Sequence, residues 1–241
     1  MTTQSKSPAL LSLTLLCLAS AALSGCATPD GESSGPSVSS ISSENMTLYG
    51  ERRDKLGSIE AQYNRNPKDK LLAARYGKAL REAGQYKSAK SILMPLSNDS
   101  DVATMANTEL SAVYLSEANF DKAETYARKG VKADEKNYRA WRNLGNALDA
   151  QEKYKEGEEA FRKALELWGG EDKVPVMNNL ALNLAAQGYT DQALNMLYDA
   201  QRMDPKRIEI ERNIRIIRTL NEPPEYKGEK KPLPENKPPK E

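Results

Sequence analysis

The sequence predicts an all-α solenoid, in which helical hairpins stack in register along one axis. Three observations carry that prediction. Small and apolar residues recur on a 34-residue spacing over 70–205. Each unit has the periodicity of two amphipathic helices, and no stretch alternates apolar and polar residues as a half-buried strand would.

The ends have a different composition. The first 26 residues, MTTQSKSPALLSLTLLCLASAALSGC, hold one cation, Lys6, an apolar run over 9–23 and small residues before Cys26. That run is shorter than the roughly 20 apolar residues a membrane helix needs. Its layout is that of a secretory signal peptide, 1–25. Leu23-Ser24-Gly25-Cys26 resembles the lipobox of bacterial lipoproteins. The resemblance implies cleavage before Cys26 and a covalent lipid on it, with no other cofactor. Stable anchoring takes more than one acyl chain. Ala27, where some such lipoproteins carry Asp, implies an outer-membrane, periplasm-facing location. Residues 26–43 are rich in Ser, Gly and Pro, and are expected to be a flexible tether. The stretch 221–241 alternates Pro with Lys and Glu, so it cannot bury enough apolar surface to offset its ordering entropy. Disorder is expected there.

Between these ends each element has its own signal. Leu56, Ile59 and Tyr63 form one stripe and predict an unpaired first helix over 54–65. Four frames follow, at 70–103, 104–137, 138–173 and 174–207. In the third, Trp141, Leu144, Gly145 and Leu148 stand at frame positions 4, 7, 8 and 11, and Gly157, Phe161 and Ala164 at 20, 24 and 27. At positions 7, 8, 11, 20, 24 and 27 the first frame has Tyr76, Gly77, Leu80, Ala89, Leu93 and Leu96. The second has Leu110, Ser111, Tyr114, Ala123, Ala127 and Gly130. The fourth starts 36 residues after the third, the extra two being absorbed at Gly169-Gly170, and has Leu180, Ala181, Leu184, Ala193, Leu197 and Ala200. The predicted helices are 70–83, 87–97, 104–117, 120–133, 138–151, 154–168, 174–187 and 190–203. A last helix, 206–220, gathers Ile210, Ile214, Ile217 and Leu220 on one face and caps the stack.

This pattern resembles the tetratricopeptide repeat over about 70–205. Three slots depart from it: position 4 is aromatic only at Trp141, position 24 shrinks to Ala127, and position 27 grows to Leu96. The resemblance implies a right-handed superhelix whose paired helices cross at positions 8 and 20. Residues larger than Ala there would push the helices apart. Glycine costs a helix interior about 0.5–1 kcal/mol, offset by close backbone approach.

Composition restricts the chemistry. There is no histidine, and the one cysteine besides Cys26, Cys17, lies in the predicted leader. No GxSxG or phosphate-binding loop is present, so an enzyme is not expected. No EF-hand-like loop offers a metal cage. Basic and acidic residues number 35 and 34, without a basic block, which argues against nucleic acid. Glu156, Glu158, Glu159 and Lys163 read as a solvated face.

A protein-binding surface remains. The resemblance implies a concave groove lined by first-helix positions 2, 5, 9 and 12. These are Leu71, Ala74, Lys78 and Arg81, then Met105, Thr108, Ala112 and Leu115. Arg139, Arg142, Asn146 and Asp149 follow, then Pro175, Asn178, Leu182 and Ala185. Arg142 and Asn146, with Asn179, resemble half of the carboxylate clamp of some tetratricopeptide domains, although Glu209 stands where the clamp's next cation belongs. Candidate partner-binding residues are therefore Lys78, Arg81, Arg139, Arg142, Asn146, Asn178, Asn179 and Leu182. RYGKALREAGQYKSA, NLALNLAAQGYTDQAL and IERNIRIIRTL resemble the TadD family of Tad/Flp pilus assembly lipoproteins over about 75–220. That implies an outer-membrane secretin as partner. Two other readings stay open: a scaffold for outer-membrane biogenesis or envelope maintenance, and a cell-wall enzyme or its accessory.

Overall fold

The computed structural model describes residues 43–170 and 173–221. The expected leader, Cys26 and nearly all of the tether and tail lie outside the described residues. Among the described residues there are ten α-helices and no strand. They are α1 (Ser43–Arg65), α2 (Lys70–Glu82), α3 (Tyr86–Leu93), α4 (Ala103–Ser116) and α5 (Phe120–Ala133). Then come α6 (Tyr138–Asp149), α7 (Tyr154–Glu166), α8 (Val174–Ala186), α9 (Thr190–Met203) and α10 (Ile208–Asn221).

Most boundaries fall within two residues of expectation, and two differ for physical reasons. α1 begins at Ser43 rather than 54, because no helix-breaking proline interrupts the polar stretch before its apolar stripe. Leu56, Ile59 and Tyr63 are half-buried as predicted, and Tyr63 stacks on Tyr76 with ring centroids 5.0 Å apart. α3 stops at Leu93 instead of 97 and passes into a 3-10 turn, Met94–Leu96. Pro95 has no N–H to donate and its ring crowds the preceding turn. Leu96 is therefore off the α-helix, which is why its slot tolerates a large residue.

Local signals set the other ends. Asp69 accepts a hydrogen bond from the Leu72 N–H at 2.9 Å, and Asn137 accepts from Arg139 and Ala140. Such N-caps satisfy donors the first helical turn leaves free. Inside each repeat the hairpin turns at one residue with left-handed backbone: Gly84, Ala118, Glu152 and Gly188, with φ of 74°, 54°, 61° and 89°. These sit 34, 34 and 36 residues apart, always at frame position 15.

The small-residue slots work as close approaches. A Cβ on Gly145 would lie 2.6 Å from the Phe161 ring, and one on Gly77 2.5 Å from the Leu93 side chain. Phe161 and Leu93 are fully buried, so neither has room to retreat. Ala89, Ala123, Ala164, Ala193 and Ala200 are likewise fully buried. Gly157 differs from expectation: what crowds its missing side chain is the polar pair Asp149 and Asn183, not an apolar crossing.

The core is a string of patches between successive helices. Its largest part joins Phe161 and Ala164 to Val176, Leu180, Leu184 and Leu197 and to Ile210, Ile214 and Ile217 of α10. Each helix packs on the next, and the first helices of successive repeats also touch: α2 with α4, α4 with α6, α6 with α8 and α8 with α10. The second helices chiefly contact their own partner and the following repeat. The stack consequently bends with its first helices on the inside. α10 continues that inner series, and its frame positions 4, 8 and 11 hold Glu211, Arg215 and Arg218 instead of apolar or small residues. No further hairpin could pack there without burying three charges, so the stack ends.

Candidate partner-binding groove

The floor of the inner face is a polar ladder at frame position 6. Glu109, Asn143, Asn179 and Asn213 occupy that slot in successive inner helices, and each reaches back one repeat. Arg81 Nε donates to Glu109 Oε2 at 2.6 Å. Asn143 Nδ2 donates to the Thr108 carbonyl at 3.0 Å and to Ser111 Oγ at 2.9 Å. Asn179 donates to Asn146 Oδ1 at 2.8 Å, and Asn213 to Asn178 Oδ1 at 2.7 Å. Glu109, Asn143 and Asn213 are buried, so their bonds satisfy groups that would otherwise be costly to desolvate. The ladder ties each inner helix to the one before it. Sequence reasoning overlooked it although its signal, one polar residue at one frame position, was available.

The predicted groove residues divide accordingly. Ala74 and Thr108 are buried and do not line the trough. Arg81 is spent largely on Glu109, with Glu82 at 3.5 Å; Lys78 lies 3.8 Å from Glu82. Asn146, Asn178 and Asn179 use amide atoms on the ladder. Within the clamp-like trio, Asn146 and Asn179 are bonded through the Asn146 acceptor oxygen, which leaves the Asn146 amide donors that a clamp would use. Glu209 pairs with Arg207 at 3.7 Å. Met105, Ala112, Leu115, Pro175, Leu182 and Ala185 are half-buried and give the trough an apolar share.

Arg139 is exposed and its Nε donates to the Tyr138 hydroxyl at 3.0 Å. Its guanidinium stands 5.4 Å from the Tyr138 ring centroid, and that ring packs against Trp168 at 4.0 Å. Arg142 lies deeper, and its Nε is buried without a hydrogen-bond partner. Burial pulls the guanidinium pKa below its usual value; Arg139 and Arg81 push the same way, against Tyr138 and Glu109.

Asp149 is only partly exposed. It accepts from Asn183 Nδ2 at 2.6 Å beneath Gly157, while Asn183 also donates to the Tyr154 carbonyl at 2.8 Å. Burial raises its carboxyl to about 7, partly opposed by the Asn183 bond. On the outer side, Glu124 ties the second and third repeats. Burial opposes its ionisation, but hydrogen bonds from Lys153, Arg128 and Gln151 overcome it and hold the carboxyl at about 2. Among the described residues no cluster of three or more His, Cys, Asp or Glu is placed to hold a metal, and no helix is long and apolar enough to cross a membrane.

Hairpins of 34 residues, crossings at glycine and an inner face built from first helices define a tetratricopeptide-repeat solenoid. The tetratricopeptide-repeat family model matches residues 136–206, the third and fourth repeats. No curated protein matches the chain. Solved structures share the fold. TTC0263, a thermophilic TPR protein of Thermus thermophilus, is 16% identical, with 73% of this chain and 95% of that one covered and a TM-score of 0.62. Pseudomonas aeruginosa pilF is 19% identical over 63% of this chain and 68% of its own, with a TM-score of 0.58. YrrB, a TPR protein with an unusual peptide-binding site, is 20% identical over 69% and 85%, with a TM-score of 0.54.

Proposed function

We propose that this chain is a lipid-anchored scaffold of the bacterial outer membrane, which holds a segment of a partner protein in its concave trough during assembly of a pilus or secretion machine. The observation that carries the binding part is the inner face. Its ladder fixes the floor, while Arg139, Arg142, Leu182 and Ala185 remain as contacts above it. YrrB, with its peptide-binding site on the same architecture, supports that part. The anchor rests on Leu23-Ser24-Gly25-Cys26. The pilus role rests on the TadD-like stretches within 75–220 and takes an outer-membrane secretin as partner. Membrane attachment would raise the effective concentration of the trough beside such a partner without any new contact.

Two measurements test this reading. Cells given labelled palmitate should incorporate it into the parent chain and not into Cys26→Ser. Deleting the protein should deplete secretin multimers and surface pilus. Unchanged multimers and pilus would discard the assembly role.

A further inference from the structure

We infer that the partner segment is acidic, and that Arg142, with Arg139 and Arg81 around it, takes a carboxylate side chain of that segment in the first three repeats of the trough. The inference rests on the groove reading above. Arg142 makes no hydrogen bond or ion pair to any described residue, and its Nε is buried. Its Nε–H has lost water without gaining an acceptor, which costs free energy in the empty protein, while the half-buried side chain keeps its Nη donors open. The acid within its electrostatic reach, Glu109, is already bonded to Arg81 at 2.6 Å. Arg142 and Arg139 thus have no acidic partner among the described residues, while Arg81 is shared between Glu109 and Glu82.

Arginine's planar fork of donors matches a carboxylate's two oxygens, so this ligand class would meet the open Nη donors and offset the excess charge together. Arg139 is held in place by the Tyr138 hydroxyl and ring, and no acid among the described residues pairs with it.

The carboxylate is a side chain and not a chain terminus. A terminal carboxylate would sit further along, at Asn146 and Asn179, and would need a second cation beside them. The slot for a second cation there holds Glu209, which would repel it.

The test uses the whole purified chain, immobilised, and three pools of random twelve-residue peptides read by mass spectrometry. The first pool is acetylated, amidated and carries four Asp or Glu. The second has Asn or Gln in their place, and the third is the second with a free C-terminal carboxylate. The first pool should be retained about tenfold over the second, as a charge-assisted hydrogen-bond pair implies. Arg142→Gln should abolish that excess. Arg139→Gln, at an exposed position where folding is not at stake, should reduce it severalfold. Equal retention of the first two pools would overturn the acidic specificity and leave the groove reading standing. Retention of the third pool above the first would place a terminal carboxylate in the trough and also overturn it. An excess that survives both substitutions would put the acid elsewhere. If no pool is retained, this inference and the groove reading fall together.

Discussion

Asp149 shows how one residue can serve packing at the expense of charge. It sits where Gly157 leaves space, and its partner Asn183 belongs to the next repeat, so the carboxyl links α6, α7 and α8. The groups facing it are the Asn183 amide and, beyond that, the Tyr154 carbonyl and Gln187, whose amide bonds Asn183 and Glu158. No cation among the described residues compensates it, and its carboxyl is raised to about 7. The folded state therefore holds this proton more tightly than the unfolded chain. Its contribution is complete below about pH 4 and is lost as pH rises through about 7. Between those values the parent should lose about 4 kcal/mol relative to Asp149→Asn, whose amide does not titrate. Urea unfolding of both chains across that range checks it, and parallel curves would remove the linkage. The outer carboxylates behave oppositely: Glu124 stabilises above its ordinary range, and that contribution is lost as pH falls towards about 2.

At the scale of elements, the hairpin depends on two kinds of glycine that look alike in the sequence. Gly145 is small because the Phe161 ring lies where its Cβ would go; Gly188 is free of neighbours, and its φ of 89° is the constraint. Gly57, inside α1, has neither a close neighbour nor positive φ. Alanine at these three sites should therefore have three outcomes. Gly57→Ala should stabilise by about 0.5–1 kcal/mol through helix propensity. Gly188→Ala should cost about 1 kcal/mol for left-handed backbone. Gly145→Ala should cost about 1–3 kcal/mol by overpacking. Thermal melts of the three variants give the ranking, and a stabilised Gly145→Ala would mean that Phe161 can move aside. The helices and the crossings at positions 8 and 27 were legible because amphipathic period and small side chains are local, repeating signals. The turn at position 15 was not, since Ala118 and Glu152 fill a slot that glycine fills elsewhere and carry no mark of positive φ. The candidate site was half legible. Spacing puts Arg139, Arg142 and Leu182 on the inner helices, but it cannot tell that Asn178 and Asn179 are consumed by bonds between repeats, nor that Asp149 is covered.

At the scale of the whole molecule, each repeat is stabilised by its neighbours, so the ends decide how far the order extends. α10 matters most at the C-terminal end. It covers α9 with Ile210, Ile214 and Ile217, each nearly or fully buried, and Asn213 closes the ladder on Asn178. Its opposite side presents Glu211, Arg215 and Arg218, which need no cover. Losing α10 would expose the apolar side of α9, including Leu197, and would leave Asn178 without its bonded amide. Burying an isoleucine contributes about 1.5–3 kcal/mol, so three of them exceed what the last hairpin can lose and still remain ordered. Ending the chain after 207 should therefore melt more than the terminus. Amide exchange in α8 and α9 should accelerate by orders of magnitude, while α4 and α5, separated from the cut by the third repeat, keep most of their protection. If α8 and α9 exchanged at the parent rate, the cap would be dispensable. If α4 and α5 lost protection equally, the molecule would be one cooperative block instead of a chain of coupled neighbours. The intermediate result would mean that a partner pressing on the fourth repeat can alter that end of the trough while the arginine cluster of the first three keeps its shape.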